Sequence, residues 1–95
     1  MDTDAIRLEA ADNVATVLRP VAAGESIRVA CGADVRLLPA IDAIPMCHKI
    51  SLLPIAQGQA VVKYGQAIGL ASAPVEAGRH VHVHNLRSAR AGGAS

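Results

Sequence analysis

Asn13-Val14-Ala15-Thr16-Val17-Leu18-Arg19-Pro20-Val21-Ala22-Ala23-Gly24-Glu25-Ser26-Ile27-Arg28-Val29-Ala30 is the stretch whose pattern decides the fold. Asn13–Leu18 and Ser26–Ala30 alternate as half-buried strands do, and Pro20 and Gly24 mark a turn between them. The same grammar continues outward. Asp34–Leu38 reads as a third strand and Ile50–Ile55 as a fourth, with Pro54 pushing its end to an edge or a bend. Gln57-Gly58-Gln59 turns the chain. Ala60–Tyr64 is a fifth strand closed by Gly65, Gln66–Ala71 is short and contains Gly69, and the Glu76-Ala77-Gly78 turn precedes a last strand, His80–Leu86. Asp4–Ala15 is rich in Ala, Leu and Glu, yet Asn13 and the β-branched residues after it favour a loop and a strand over a helix. Many short strands at this spacing predict an all-β barrel or compact β-roll. No internal repeat stands out on this reading.

The chain has 95 residues, which suits one domain with a modest core. Residues 1–95 read as a single unit, with an ordered core over about residues 10–88 and a flexible C-terminal tail, Arg90-Ala91-Gly92-Gly93-Ala94-Ser95. Trp and Phe are absent and Tyr64 is the sole aromatic residue, so Val, Ile, Leu and Ala must fill the core. The formal net charge is +1, with no stripe of Lys and Arg, which argues against nucleic acid as a partner. No apolar run approaches the ~20 residues that span a bilayer, and no leader segment is visible, so neither a membrane partner nor export is expected and a cytoplasmic location is. Cys31 and Cys47 are expected as reduced thiols. A small chain with a mean hydropathy of +0.33 is expected to self-associate or to bury a face against something else.

Chemistry concentrates in Arg79-His80-Val81-His82-Val83-His84-Asn85. In an extended strand His80, His82 and His84 would project to one face and Val81 and Val83 to the other. Same-face neighbours lie roughly 6–7 Å apart, close enough for imidazoles to converge on one metal ion or one anionic substrate. Neutral imidazole suits zinc, iron, nickel and copper. The competing reading is a polar, solvent-facing strand. Asn85 can orient a substrate hydroxyl or simply end the strand.

A second cluster is Cys47-His48-Lys49. Adjacent strand residues face opposite ways, so a Cys47–His48 nucleophile pair is the weaker reading. His48 and Lys49 are better candidates for acid–base work or for holding a carboxylate. In Lys63-Tyr64-Gly65, Lys63 can hold an anion and the Tyr64 hydroxyl can donate a hydrogen bond, or Tyr64 can close the edge of the core. No phosphate loop, carboxylate pair or Ser–His–Asp pattern is present.

Several segments in order carry a resemblance: Ile44-Pro45-Met46-Cys47-His48-Lys49-Ile50-Ser51-Leu52, Ile55-Ala56-Gln57-Gly58, Val61-Val62-Lys63-Tyr64-Gly65-Gln66-Ala67-Ile68-Gly69-Leu70-Ala71 and Ala77-Gly78-Arg79-His80-Val81-His82-Val83-His84-Asn85, with Asp12-Asn13-Val14-Ala15 as an opening strand. Together they resemble the SAF domain of the altronate and galactarate dehydratase family over nearly the whole chain. The His-x-His-Asn ending is similar to the altronate branch. His84-Asn85-Leu86-Arg87-Ser88-Ala89-Arg90 is similar to the end of the stand-alone small subunit of sulfolactate sulfo-lyases. One position departs. The family has Gly before the His-Lys pair, and Cys47 stands there, where a positive φ would strain it.

The resemblance implies a compact β-clip fold. It also implies a role as the small subunit of a two-chain lyase acting on a hydroxy acid or sugar acid, active only with a large catalytic subunit. Water leaves in the altronate-like reaction and sulfite in the sulfo-lyase reaction, and a divalent metal, often iron, accompanies the family. On this reading His80, His82 and His84 would contribute to a metal or substrate site at the subunit interface. His48 and Lys49 would approach it, with Lys63, Tyr64 and Asn85 around the substrate. The alternatives are a non-catalytic module that binds a sugar acid or carbohydrate and, more distantly, a metal carrier.

Overall fold

The computed structural model describes residues 3–88, and within them it is all-β. The strands are β1 (Ala5–Arg7), β2 (Val14–Val17), β3 (Ser26–Cys31), β4 (Asp34–Pro39), β5 (Lys49–Ser51), β6 (Ala60–Lys63), β7 (Gln66–Ala71), β8 (His80–Val81) and β9 (Leu86–Ser88). A six-stranded sheet has the order β4-β3-β1-β2-β5-β8, and a three-stranded sheet has the order β6-β7-β9. Neighbours pair antiparallel except β1 and β3, which run parallel with Ala5 opposite Val29.

Alternation places the core. In β3, Ile27 and Val29 are buried while Ser26 and Arg28 face water. With Val17, Val21, Leu38, Ile44, Ile50 and Leu52 they form the core of the larger sheet. A second cluster, Val14, Ile55, Val61, Ala71, Val75 and Val81, lies under the smaller sheet. Aliphatic side chains fill both, as the composition requires.

The structure adds a regularity that was not expected from the sequence. Four eight-residue segments starting at Pro20, Ala43, Pro54 and Pro74 share one local structure. In each, a buried Val or Ile (Val21, Ile44, Ile55, Val75) forms an isolated bridge, Val21 with Ile44 and Ile55 with Val75. A turn follows, closed by the N–H of Glu25, His48, Gln59 or Arg79 donating to the carbonyl three residues back. The third turn residue takes positive φ: Gly24 at 85°, Cys47 at 72°, Gly58 at 84° and Gly78 at 89°. That is a type II turn, whose third position favours Gly. A strand then begins and buries Ile27, Ile50, Val61 or Val81. Cys47 therefore occupies a glycine position, and the strain expected there is present.

Other expectations are corrected. A strand not foreseen, β1, lies inside the large sheet with Ala5 fully buried. His80–Leu86 is not one strand: β8 ends at Val81, residues 82–85 turn, and β9 begins at Leu86. Val81 is buried while Val83 is 81% exposed, so the two do not share a face. Tyr64 is not a core-edge residue. It sits half-exposed at the tip of the β6–β7 hairpin with φ 56°, beside Gly65 at φ 74°, the pairing of a type I′ turn.

Asp12 and Asn13 join the two sheets. The Asn13 side chain accepts from the Val62 N–H at 2.8 Å and donates to the Ala60 carbonyl at 2.9 Å, as a strand neighbour would. The Asp12 carboxylate accepts from the N–H groups of Glu9, Tyr64 and Gly65. Burial pushes the Asp12 carboxyl up, but these backbone donors, Gly65 foremost, outweigh it and hold the pKa below the usual carboxylate value. The tail beyond Ser88 lies outside the described residues.

Candidate functional site

The second and fourth repeated turns supply the site. Their strands β5 and β8 pair antiparallel, with Lys49 opposite Val81 and Ile50 opposite His80. The start of β5 therefore meets the end of β8, and turn 45–48 lies beside turn 82–85. His48 closes the first of these turns. The second is shaped by Asn85, whose side-chain oxygen accepts from the His82 N–H at 2.9 Å and whose amide nitrogen donates to the His80 carbonyl at 2.8 Å. Both polar ends of the Asn85 amide thus hold backbone.

This arrangement brings His48, His80 and His82 together. One ring nitrogen from each lies within 4.8 Å of the others. His48 Nδ1 lies 2.8 Å from His80 Nε2. Ring centroids are 4.1 Å apart for His48 and His82, and 5.0 Å for His48 and His80, with nearly parallel planes. His84 is exposed, and its ring lies beside His80 at 5.1 Å. The convergent set therefore contains His48 in place of His84. Sequence spacing grouped His84 with the other two on the assumption of an unbroken strand, and the turn at 82–85 removes that assumption.

The surroundings favour the neutral forms of His80 and His82. Burial and the neighbouring imidazoles of His84, His48 and His82 lower the His80 pKa, against a smaller opposing pull from Asp42. Desolvation, His48, Lys49 and His84 lower that of His82. A neutral imidazole offers a lone pair, as a metal requires. Lys49, on the first residue of β5, is half-buried, and burial followed by the charge of Lys63 lowers its pKa. The Lys63 ammonium sits 4.7 Å from the Tyr64 ring centroid.

The nearest carboxylate, Asp42, is already engaged. It accepts from Arg79 at 2.9 Å and from the His80 N–H at 3.0 Å, and Arg79 also donates to Glu76 at 3.0 Å. Asp42 thereby fixes the backbone of His80. No local sequence signal linked it to the histidines, because 38 residues separate them.

The donor set fits a divalent ion of the nitrogen-preferring kind. Each ring brings one nitrogen within 4.8 Å of the others, so His48, His80 and His82 are the residues that could hold such an ion. Three neutral ligands would leave a bound ion its full charge, which would favour an anionic oxygen ligand.

No helix among the described residues is long and apolar enough to cross a membrane, and Cys31 and Cys47 are free.

Comparison with known proteins places the chain in one family. The altronate dehydratase of Escherichia coli (strain K12) is 40% identical over 83 residues, which are 87% of this chain and 16% of that protein. The altronate dehydratase of Bacillus subtilis (strain 168) is 37% identical over 83 residues, again 87% of this chain and 16% of that protein. The (2R)-sulfolactate sulfo-lyase subunit alpha of Paracoccus pantotrophus is 40% identical over 57 residues, 60% of this chain and 84% of that subunit. The family model of the altronate/galactarate dehydratase SAF domain matches residues 3–89, and the chain belongs to that family.

Proposed function

We propose that this chain is the SAF subunit of a two-chain lyase that eliminates a β-substituent from a hydroxy acid or sugar acid, with His48, His80 and His82 as protein ligands of a divalent metal. The observation that carries the reading is the convergence of these three imidazoles to within 4.8 Å. Iron is the metal implied by family resemblance, and the nitrogen donors are compatible with it. When bound, the metal supplies a Lewis acid for the substrate's carboxylate and hydroxyl oxygens.

The chain's own residues add positive charge around that position. Lys49 and Lys63 lie close enough to lower the Lys49 pKa, and among the described residues neither forms an ion pair with a carboxylate. An anionic substrate would relieve that repulsion. Lys49, shifted toward neutrality, is suited to moving a proton at its Nζ. Asn85 holds the loop that presents His82, and the Tyr64 hydroxyl is free to meet a substrate from the hairpin tip.

Loss of water is the first reading of the reaction. Loss of sulfite is the second, supported by the 40% identity to a (2R)-sulfolactate sulfo-lyase subunit alpha over 57 residues. The test is co-expression with the large lyase chain of the same organism, assayed with altronate and with (2R)-sulfolactate, alongside metal analysis. His48→Ala and His80→Ala are expected to lose metal and turnover together. Full turnover by either variant, or robust turnover by this chain alone, would sink the reading.

A further inference from the structure

The large sheet ends in a long edge strand. β4 runs six residues against β3 in unbroken register, from Asp34 opposite Cys31 to Pro39 opposite Ser26. The Ala40 N–H donates to the Glu25 carbonyl, and the Asp4 N–H donates to the Arg28 carbonyl. Residues of an antiparallel pair alternate between bonding their partner strand and facing away from it. Arg36 and Leu38 therefore bond β3, while the N–H and C=O groups of Val35 and Leu37 point to the open edge. Among the described residues no other backbone group meets them. Beyond Leu38 the edge is closed, because the Ile41 N–H donates to the Gly78 carbonyl and the Pro39 carbonyl lies against Gly78. The Val35 and Leu37 side chains share one face of the sheet and are 46% and 67% exposed. Edge strands usually carry a lysine, a bulge or a very short span that discourages pairing. β8 has two residues, β9 has three, and β6 has a register shift at Val61/Val62 and ends in Lys63. β4 has neither lysine nor bulge over Asp34–Leu38. Its one cation, Arg36, is turned onto the Leu52 carbonyl at 2.6 Å.

We infer that β4 is a self-association edge, to which a second copy of this chain adds its own β4, antiparallel, across a two-fold axis at Arg36. That register places Val35 opposite Leu37 of the second copy, and Leu37 opposite its Val35. The two outward-facing residues of each edge then satisfy one another through four backbone hydrogen bonds. Each Val–Leu pair also meets side by side on the exposed face. A second copy is the occupant because the open edge is its own complement: two outward residues, two apolar side chains and one axis between them. Charge matches as well. Asp34 of one copy falls diagonally across from Arg36 of the other, within reach of a long side chain. A two-fold pair consumes both edges and stops there. It uses none of His48, Lys49, His80 or His82 and does not depend on the lyase reading.

The test is sedimentation of the full chain from micromolar to millimolar concentration, with Leu37→Pro, Leu37→Lys and Val83→Lys alongside. Wild type is expected to shift from one chain to two as concentration rises. Leu37→Pro removes an N–H that points away from β3, so the fold keeps its ladder while the pair loses two of its four bonds. It is expected to weaken dimerisation at least about tenfold. Leu37→Lys, which keeps the backbone donor, is expected to do the same by placing a charge in the seam. Val83→Lys, on a loop outside β4, is expected to stay within about twofold of wild type. A second measurement fixes the register. In a Cys31→Ser/Cys47→Ser background, Arg36→Cys sits on the axis, with its copy about 4.5 Å away between Cα atoms, and is expected to form an intermolecular disulfide on mild oxidation. Asp34→Cys, whose copy lies about 14 Å along the partner strand, is expected to stay reduced. A chain that remains monomeric at millimolar concentration overturns the inference. So does a dimer insensitive to both Leu37 variants, or one that cross-links through position 34 and not through position 36.

Discussion

His48 Nδ1 lies 2.8 Å from His80 Nε2 across 32 residues of chain. A hydrogen bond between two imidazoles needs one donor and one acceptor, so at most one proton sits between them. A divalent ion would take the place of that proton. Removing His48, His80 or His82 is therefore expected to lower the affinity for Co2+ or Zn2+ by at least about a hundredfold, beyond the usual effect of an outer-shell change. His84→Ala, which removes a neighbour and not a member of the convergent set, is expected to change it by less than about tenfold. Cobalt absorption titrations of the four variants check this. A large loss for His84→Ala with none for His48→Ala would restore the row of three read from sequence spacing.

Cys47 carries strain that its counterparts avoid. A non-glycine residue in the left-handed region costs roughly 1–2 kcal/mol, and glycine's greater freedom in the unfolded chain returns up to about 1 kcal/mol of that. Cys47→Gly is thus expected to stabilise by about 0.5–1 kcal/mol, read as a higher urea midpoint at constant slope. At the matching position of the fourth turn, a Cβ on Gly78 would lie 2.3 Å from the Pro39 carbonyl oxygen. Gly78→Ala combines that clash with the same backbone strain and is expected to cost about 2–4 kcal/mol. A neutral Gly78→Ala would show that this segment moves freely against Pro39.

Asp12 ties stability to acid. Its folded pKa lies below the ordinary value of 3.8. Between the two values the unfolded chain binds a proton and the native chain does not. The stabilisation is therefore fully present well above 3.8 and is lost as pH falls through the folded value. Urea midpoints should drop on acidification below about pH 4, and Asp12→Asn should flatten that dependence. An unchanged slope in Asp12→Asn would move the effect to Glu25 and Asp42, which are also held low by hydrogen bonds.

Asn13 tests how the sheets are joined. Asn13→Ala strips partners from the Val62 N–H and the Ala60 carbonyl, at about 1–3 kcal/mol for each group left buried without one. Amide exchange in β6 should accelerate ahead of that in β3. Uniform acceleration across both strands would mean that the sheets open as one unit.

The sequence by itself determined the all-β class, the aliphatic core and the family. Those follow from local signals: alternation in Ser26–Ala30, Pro and Gly at the turns, and an ordered set of short motifs. It also placed His48, Lys49 and the His80–His84 row near one another through the resemblance. Tertiary structure alone decided which three imidazoles converge. Asn85 folds back on the carbonyl of His80 and ends the strand, a preference of Asn for bonding nearby backbone that competes with extension. The pairing of β5 with β8 then carries His48 to the cluster. Long-range register of this kind depends on which buried faces match across the sheet, and no window of neighbouring residues contains that information.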